Sequence, residues 1–142
     1  TAYTNTSRSP AMVDINQADT SAFIALPGIG SKLANRIVAF REKLGGFFAI
    51  EQVGEVYGLQ DSVFQKIKSR LRLGNAGIKM IPVNTATVEE LKQHPYIRFQ
   101  LANAIVQYRQ QHGPFSRAED LKNIMMLTEA IYKKLQPYVA IR

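Results

Sequence analysis

The residues best placed to do chemistry lie in one run, Leu26-Pro27-Gly28-Ile29-Gly30-Ser31-Lys32-Leu33-Ala34-Asn35-Arg36. A proline disfavours helical geometry in the residue before it, so an apolar helix stops near Leu26. Gly28 and Gly30 then bracket one apolar residue, Ile29. Glycine reaches positive φ and lets bare backbone approach another surface. A second helix, opening at Gly30 or Ser31 and running to about Leu44, leaves its first amides without intrahelical acceptors at the positive end of its dipole. Such a helix mouth is ready to receive a phosphate. Lys32 and Arg36 are four residues apart on one face of that helix and add full charges. The candidate binding residues are therefore Gly28, Ile29, Gly30, Ser31, Lys32 and Arg36, with Ile29 also turned back to hold the turn shut. Ala34 is small enough to let two helices approach closely.

Bond-breaking chemistry has no comparable carrier. The sequence shows no nucleophile paired with a base, no phosphate loop of the nucleotide-hydrolase kind and no cluster of carboxylates. The expectation is a protein that is not an enzyme, with no cofactor and no small-molecule substrate. There is no cysteine, which excludes disulfides and thiolate metal sites. His94 and His112 stand without a second ligand at metal spacing, so no metal site is expected. The net charge of +7 favours polyanionic partners, nucleic acid before acidic membrane surfaces. No apolar run approaches the roughly 18 residues of a membrane span.

The elements that must position the glycine turn come from a duplication. At a constant offset of 68, Val13–Leu73 lies on Ile81–Ile141 without a gap. Asn16, Ala18, Pro27 and Ile29 meet Asn84, Ala86, Pro95 and Ile97. Leu33-Ala34-Asn35 meets Leu101-Ala102-Asn103, and Arg41, Gly45 and Phe47 meet Arg109, Gly113 and Phe115. The predicted organisation is a flexible tail over residues 1–12, a unit over 13–73, a linker over 74–80 and a second unit over 81–142. Each unit opens and closes on alternating apolar residues, which predicts incoming and outgoing strands lying side by side. Between them four helices are expected. The first is capped by Asp19 or Thr87. The second runs over Ser31–Leu44 or Phe99–His112. A short third covers Ile50–Val56, or ends near Lys122 after a cap at Ser116-Arg117-Ala118-Glu119. A fourth covers Asp61–Leu71 or Thr128–Tyr138, with Pro137 disturbing its last turn. Phe47 and Phe115 read as core plugs, and Arg41 and Arg109 as structural cations at helix ends. Lys66, Lys68, Arg70 and Arg72 form a cationic run on the fourth helix of the first unit.

The pattern apolar-x-Gly-apolar-Gly, with Ala34 four residues on, resembles the helix-hairpin-helix motif of DNA-binding proteins. With Asn16, Ala18, Arg41, Gly45 and Phe47, and their counterparts Asn84, Ala86, Pro95, Arg109 and Gly113-Pro114-Phe115, the chain is similar to the ComEA family of competence proteins. That resemblance implies an all-α fold of two tandem helix-hairpin-helix units of the SAM-like, ComEA type, with very short strands at their edges. It implies sequence-tolerant binding of double-stranded DNA, a part in DNA uptake, export or membrane anchoring, and partners in an uptake or envelope complex. The glycines decay along the chain. Tyr57-Gly58-Leu59-Gln60 keeps one, while Pro95-Tyr96-Ile97-Arg98 and Met125-Met126-Leu127-Thr128 keep none. A competing reading is a non-enzymatic scaffold whose worn hairpins dock protein, the role implied by a second resemblance, to the extrinsic photosystem II protein PsbU.

Overall fold

In each repeat an asparagine just inside the chain's first turn latches onto a phenylalanine 31 residues further on. The side-chain amide of Asn16 donates to the Phe47 carbonyl at 2.8 Å, and its oxygen accepts from the Phe47 amide at 2.7 Å. Asn84 makes the same reciprocal pair with Phe115, at 3.0 and 2.7 Å. The latch holds the backbone of a ring that is itself buried, for both Phe47 and Phe115. An arginine at the far end of the long helix completes the corner. Arg41 donates to the carbonyls of Ile15 and Ala18, and Arg109 to that of Val83. We expect Asn16→Ala and Asn84→Ala each to cost about 2 kcal/mol, two hydrogen bonds at about 1 kcal/mol apiece. Urea midpoints with unchanged m-values check this.

These contacts belong to a computed structural model that describes residues 12–74 and 77–142. The expected tail lies outside the described residues apart from Met12, as do Asn75 and Ala76 of the expected linker. The chain divides into two compact units, residues through Arg41 with Phe47–Ala76, and Glu42–Gly46 with Gly77–Arg142.

The order of elements repeats. The first set is β1 (Val13–Asp14), α1 (Thr20–Ile24), α2 (Ser31–Leu44), a 3-10 segment (Ile50–Glu55), α3 (Asp61–Ile67), a second 3-10 turn (Lys68–Arg70) and β2 (Leu71–Arg72). The second set is β3 (Ile81–Pro82), α4 (Val88–Leu91), α5 (Phe99–His112), a 3-10 segment (Ala118–Asn123), α6 (Glu129–Leu135), a 3-10 turn (Gln136–Tyr138) and β4 (Val139–Ala140). The strands pair within each set and run parallel, Val13 opposite Leu71 and Ile81 opposite Val139. The fold is therefore helical, with incoming and outgoing strands side by side as the periodicity and the resemblance predict; that each pair runs parallel is added by the structure.

Local chemistry explains the boundaries. The Asp19 carboxylate accepts from the Ala22 amide at the start of α1. Thr87 and Glu90 form a reciprocal capping box at α4. The long helices α2 and α5 match their predicted spans, and their fully buried alanines, Ala34 and Ala102, sit at the positions that need a small side chain.

Several expectations change. The short third helices are 3-10 segments rather than α-helix. In the second unit the cap is the Asp120 carboxylate, which accepts from the amides of Ser116 and Arg117. The fourth helices end at Ile67 and Leu135 and tighten into 3-10 turns. Pro137 is not the cause, because the first unit makes the same turn with Ser69 in that place. The cationic run then spans α3, a 3-10 turn and β2, so Lys68 and Arg72 share no helix face. Lys68 pairs with Glu51 at 3.5 Å.

Candidate nucleic-acid interface

Each unit contains two four-residue turns closed by the same backbone hydrogen bond. In the first unit Ile29 donates to the Leu26 carbonyl and Leu59 to that of Val56. In the second, Ile97 donates to His94 and Leu127 to Ile124. The third residue of the turn decides its form. Gly28 and Gly58 sit at φ +85° and +87°, as a type II turn requires. Tyr96 and Met126 occupy the same places with negative φ, because a side chain there makes the left-handed region costly. The backbone donor is consequently used differently. In the second unit the Tyr96 amide donates inward to His94 Nδ1 at 3.2 Å. The Gly28 amide has no acceptor among the described residues.

The first turn packs on α3 and the second on α2. A Cβ at Gly28 would lie 2.9 Å from Val63 Cγ1, so that glycine is required by both conformation and space. Gly30 differs. Its φ is not positive, it is exposed, and a Cβ built on it meets nothing within 4 Å. The other three turns carry side chains at this very place. Gln60, Arg98 and Thr128 hold φ of −70°, −79° and −75°. Nothing among the described residues asks for glycine at residue 30.

Gly30 is the residue on which α2 opens, since its carbonyl accepts from the Ala34 amide. The amides of Gly30, Ser31, Lys32 and Leu33 have no acceptor among the described residues, as expected for the first turn of a helix. Gly28, Gly30, Ser31 and Lys32 are exposed together. Lys32 has no ion-pair partner among the described residues. Ile29 faces inward, 4 % exposed, with its amide committed to Leu26. The Arg36 guanidinium is directed to the second turn: its Nη1 donates to the Tyr57 carbonyl at 3.2 Å. The structure thus brings together Gly28, Gly30, Ser31 and Lys32, puts Ile29 beneath them and draws Arg36 to one side. The sequence reading missed Tyr57, an aromatic 82 % exposed beside that arginine.

Paired helices joined through four-residue turns, with the ends of each unit tied by parallel strands, define a tandem helical-hairpin protein whose first unit has a helix mouth opened by glycine. The chain belongs to the helix-hairpin-helix motif family, whose sequence profile matches residues 9–72 and again 77–140. It is 38% identical over 61 residues to ComE operon protein 1 of Bacillus subtilis, covering 43% of this chain and 30% of that protein. It is 40% identical over 68 residues to an uncharacterized protein of Haemophilus influenzae, covering 44% of this chain and 61% of that one. Over 99% of its own length it is 24% identical to endonuclease/exonuclease/phosphatase family domain-containing protein 1 of Xenopus laevis. The chain spans 29% of that relative.

Proposed function

We propose that the protein binds double-stranded DNA without sequence preference, gripping the phosphodiester backbone at the mouth of α2. The observation that supports this most is Gly30, a glycine with no internal reason to be one, at the opening of a 14-residue helix whose first amides are unpaired. A phosphate oxygen can come within about 2.9 Å of those amides because no side chain stands over them. Lys32 adds charge, Gly28 shapes the turn, and Ile29 anchors it from below. Arg36 serves the site through the second turn, to which its guanidinium is bound. Such contacts carry no base information. In this reading the chain is a binding module without catalysis of its own. The resemblance to competence proteins suggests DNA uptake as its setting, with other proteins of an uptake or envelope complex as partners.

The test is a salt titration of duplex binding by the full chain. Log affinity against log salt should fall with a slope of about −1 for each phosphate neutralised, and Lys32→Ala should make it shallower by about 1. Duplexes of unrelated sequence should bind alike. No duplex binding at low salt would overturn the reading.

The second unit supports a different use, as a scaffold that contacts protein. At the places of Ser31, Tyr57 and Gly58 it carries Phe99, Met125 and Met126, all exposed, with Met125 98 % exposed. Apolar tips of this kind suit a protein surface better than a phosphate.

A further inference from the structure

We propose that Tyr57 is a DNA-contacting side chain and that Arg36 is the positioning residue that aims it; the inference rests on the DNA-binding reading above. Arg36 binds the second turn twice. It donates to the Tyr57 carbonyl, and its guanidinium carbon lies 5.0 Å from the centre of the Tyr57 ring. Gly58 makes room for this. A Cβ there would fall on Arg36 Nη1, so the absent side chain is a cradle for the guanidinium. One face of the ring is thereby backed by a cation. The ring stays 82 % exposed with the guanidinium behind one face, so burial does not account for its place.

The location fits the site. Gly58 lies against Leu33 and Arg36, the first two turns of α2. Arg36 is five residues beyond Ser31, about 7.5 Å along the helix axis. Tyr57 therefore flanks the helix mouth that receives the phosphate. Glu55 and Asp61, both exposed, stand on either side of the second turn. Asp61 puts a carboxylate in the first turn of α3, where a phosphate would sit, and Glu55 adds a second on the other side. What the turn presents to a backbone is the aromatic ring, and the part of the backbone it suits is the uncharged deoxyribose.

The chain contains its own comparison. At the offset of 68, Arg36, Tyr57 and Gly58 become Ala104, Met125 and Met126. The cation, the ring and the cradle are lost together, in the same unit that lacks the glycine mouth. Three residues changing as a set are what a single device predicts.

Duplex binding by the full chain tests the proposal, with parent binding established first so that its absence counts against the DNA-binding reading alone. Tyr57→Ala should weaken binding roughly tenfold. The salt slope should stay as it was, since no charge is removed. Tyr57→Phe should bind within about twofold of the parent, because the ring and not the hydroxyl makes the contact. Arg36→Lys keeps the charge but not the planar fork, and should lose as much as Arg36→Ala. Neither Arg36 variant should lose anything further once Tyr57 is alanine. Parent-like binding by Tyr57→Ala would overturn the contact. A Tyr57→Phe loss equal to that of Tyr57→Ala would overturn the sugar assignment. Full retention of affinity in Arg36→Lys, or an Arg36→Ala cost that persists without Tyr57, would overturn the positioning role of Arg36.

Discussion

Gly30→Thr is expected to leave the fold and its stability intact while weakening duplex binding about tenfold or more. The stability half follows from Thr128, which occupies the same place in the last turn of the chain. There threonine sits at φ −75°, ψ 159°, and its hydroxyl accepts from the amide three residues on. A β-carbon at residue 30 meets nothing within 4 Å, and a threonine there can make the same bond to the Leu33 amide. Glycine and threonine differ at such a cap by only a few tenths of a kcal/mol. The binding half follows from the same geometry. The new hydroxyl takes one of the amides offered to the phosphate, and the new methyl stands in its path. Gly28→Ala is the contrast, since it forces a side chain into φ +85° against Val63 and should cost about 1 to 2 kcal/mol. Thermal melts and duplex titrations of both variants separate the roles. Parent-like affinity in a folded Gly30→Thr protein would remove the main support for the helix-mouth site.

Acid should destabilise the second unit by about 3 kcal/mol between pH 6.5 and pH 4, through His94. Its ring is buried, packed edge-on against Tyr138 at 4.8 Å and beside Tyr96 at 5.3 Å. Nδ1 accepts from the Tyr96 amide, while Nε2 is buried without a hydrogen bond of good geometry. Burial pushes the imidazole from its ordinary 6.5 down to about 4, with the Leu44 backbone offsetting a small part. An unfolded chain therefore binds the proton more readily than the folded one throughout that window. Stability is complete above pH 6.5 and falls as pH drops toward 4, by about 1.4 kcal/mol per unit of difference. His94→Leu should abolish the dependence, because the corresponding residue in the first unit is Leu26, equally buried. Urea midpoints across this pH range check it. Parallel curves for parent and variant would refute it.

Much of the scaffold was legible because the chain states it twice. The duplication, the long helices and the structural arginines all lie in local pattern or at a fixed offset, while Asn16 and Asn84 were readable as a recurring pair but not as latches. The 3-10 segments were not legible. Over Ile50–Glu55 and Ala118–Asn123 the apolar spacing suits a short helix of either winding, and the packing of Val53 and Leu121 into the core decides. The glycine mouth was readable as a motif, but the difference between Gly28 and Gly30 was not. One is demanded by φ and by Val63, the other by nothing among the described residues. Arg36 misled for a plainer reason. Helix periodicity puts it beside Lys32, yet the carbonyl it binds is 21 residues away in another turn. Setting Arg36, Tyr57 and Gly58 beside Ala104, Met125 and Met126 is the signal that would have revealed the link.

The parallel strand pairs carry a mechanical consequence. Because Val13–Asp14 and Leu71–Arg72 point the same way, a pull on the two ends of the unit drags its strands past each other lengthwise. Ile81–Pro82 and Val139–Ala140 are loaded in the same manner. Their hydrogen bonds must then yield together instead of peeling one at a time. A tether built from such units would resist tension more than its two-residue strands suggest.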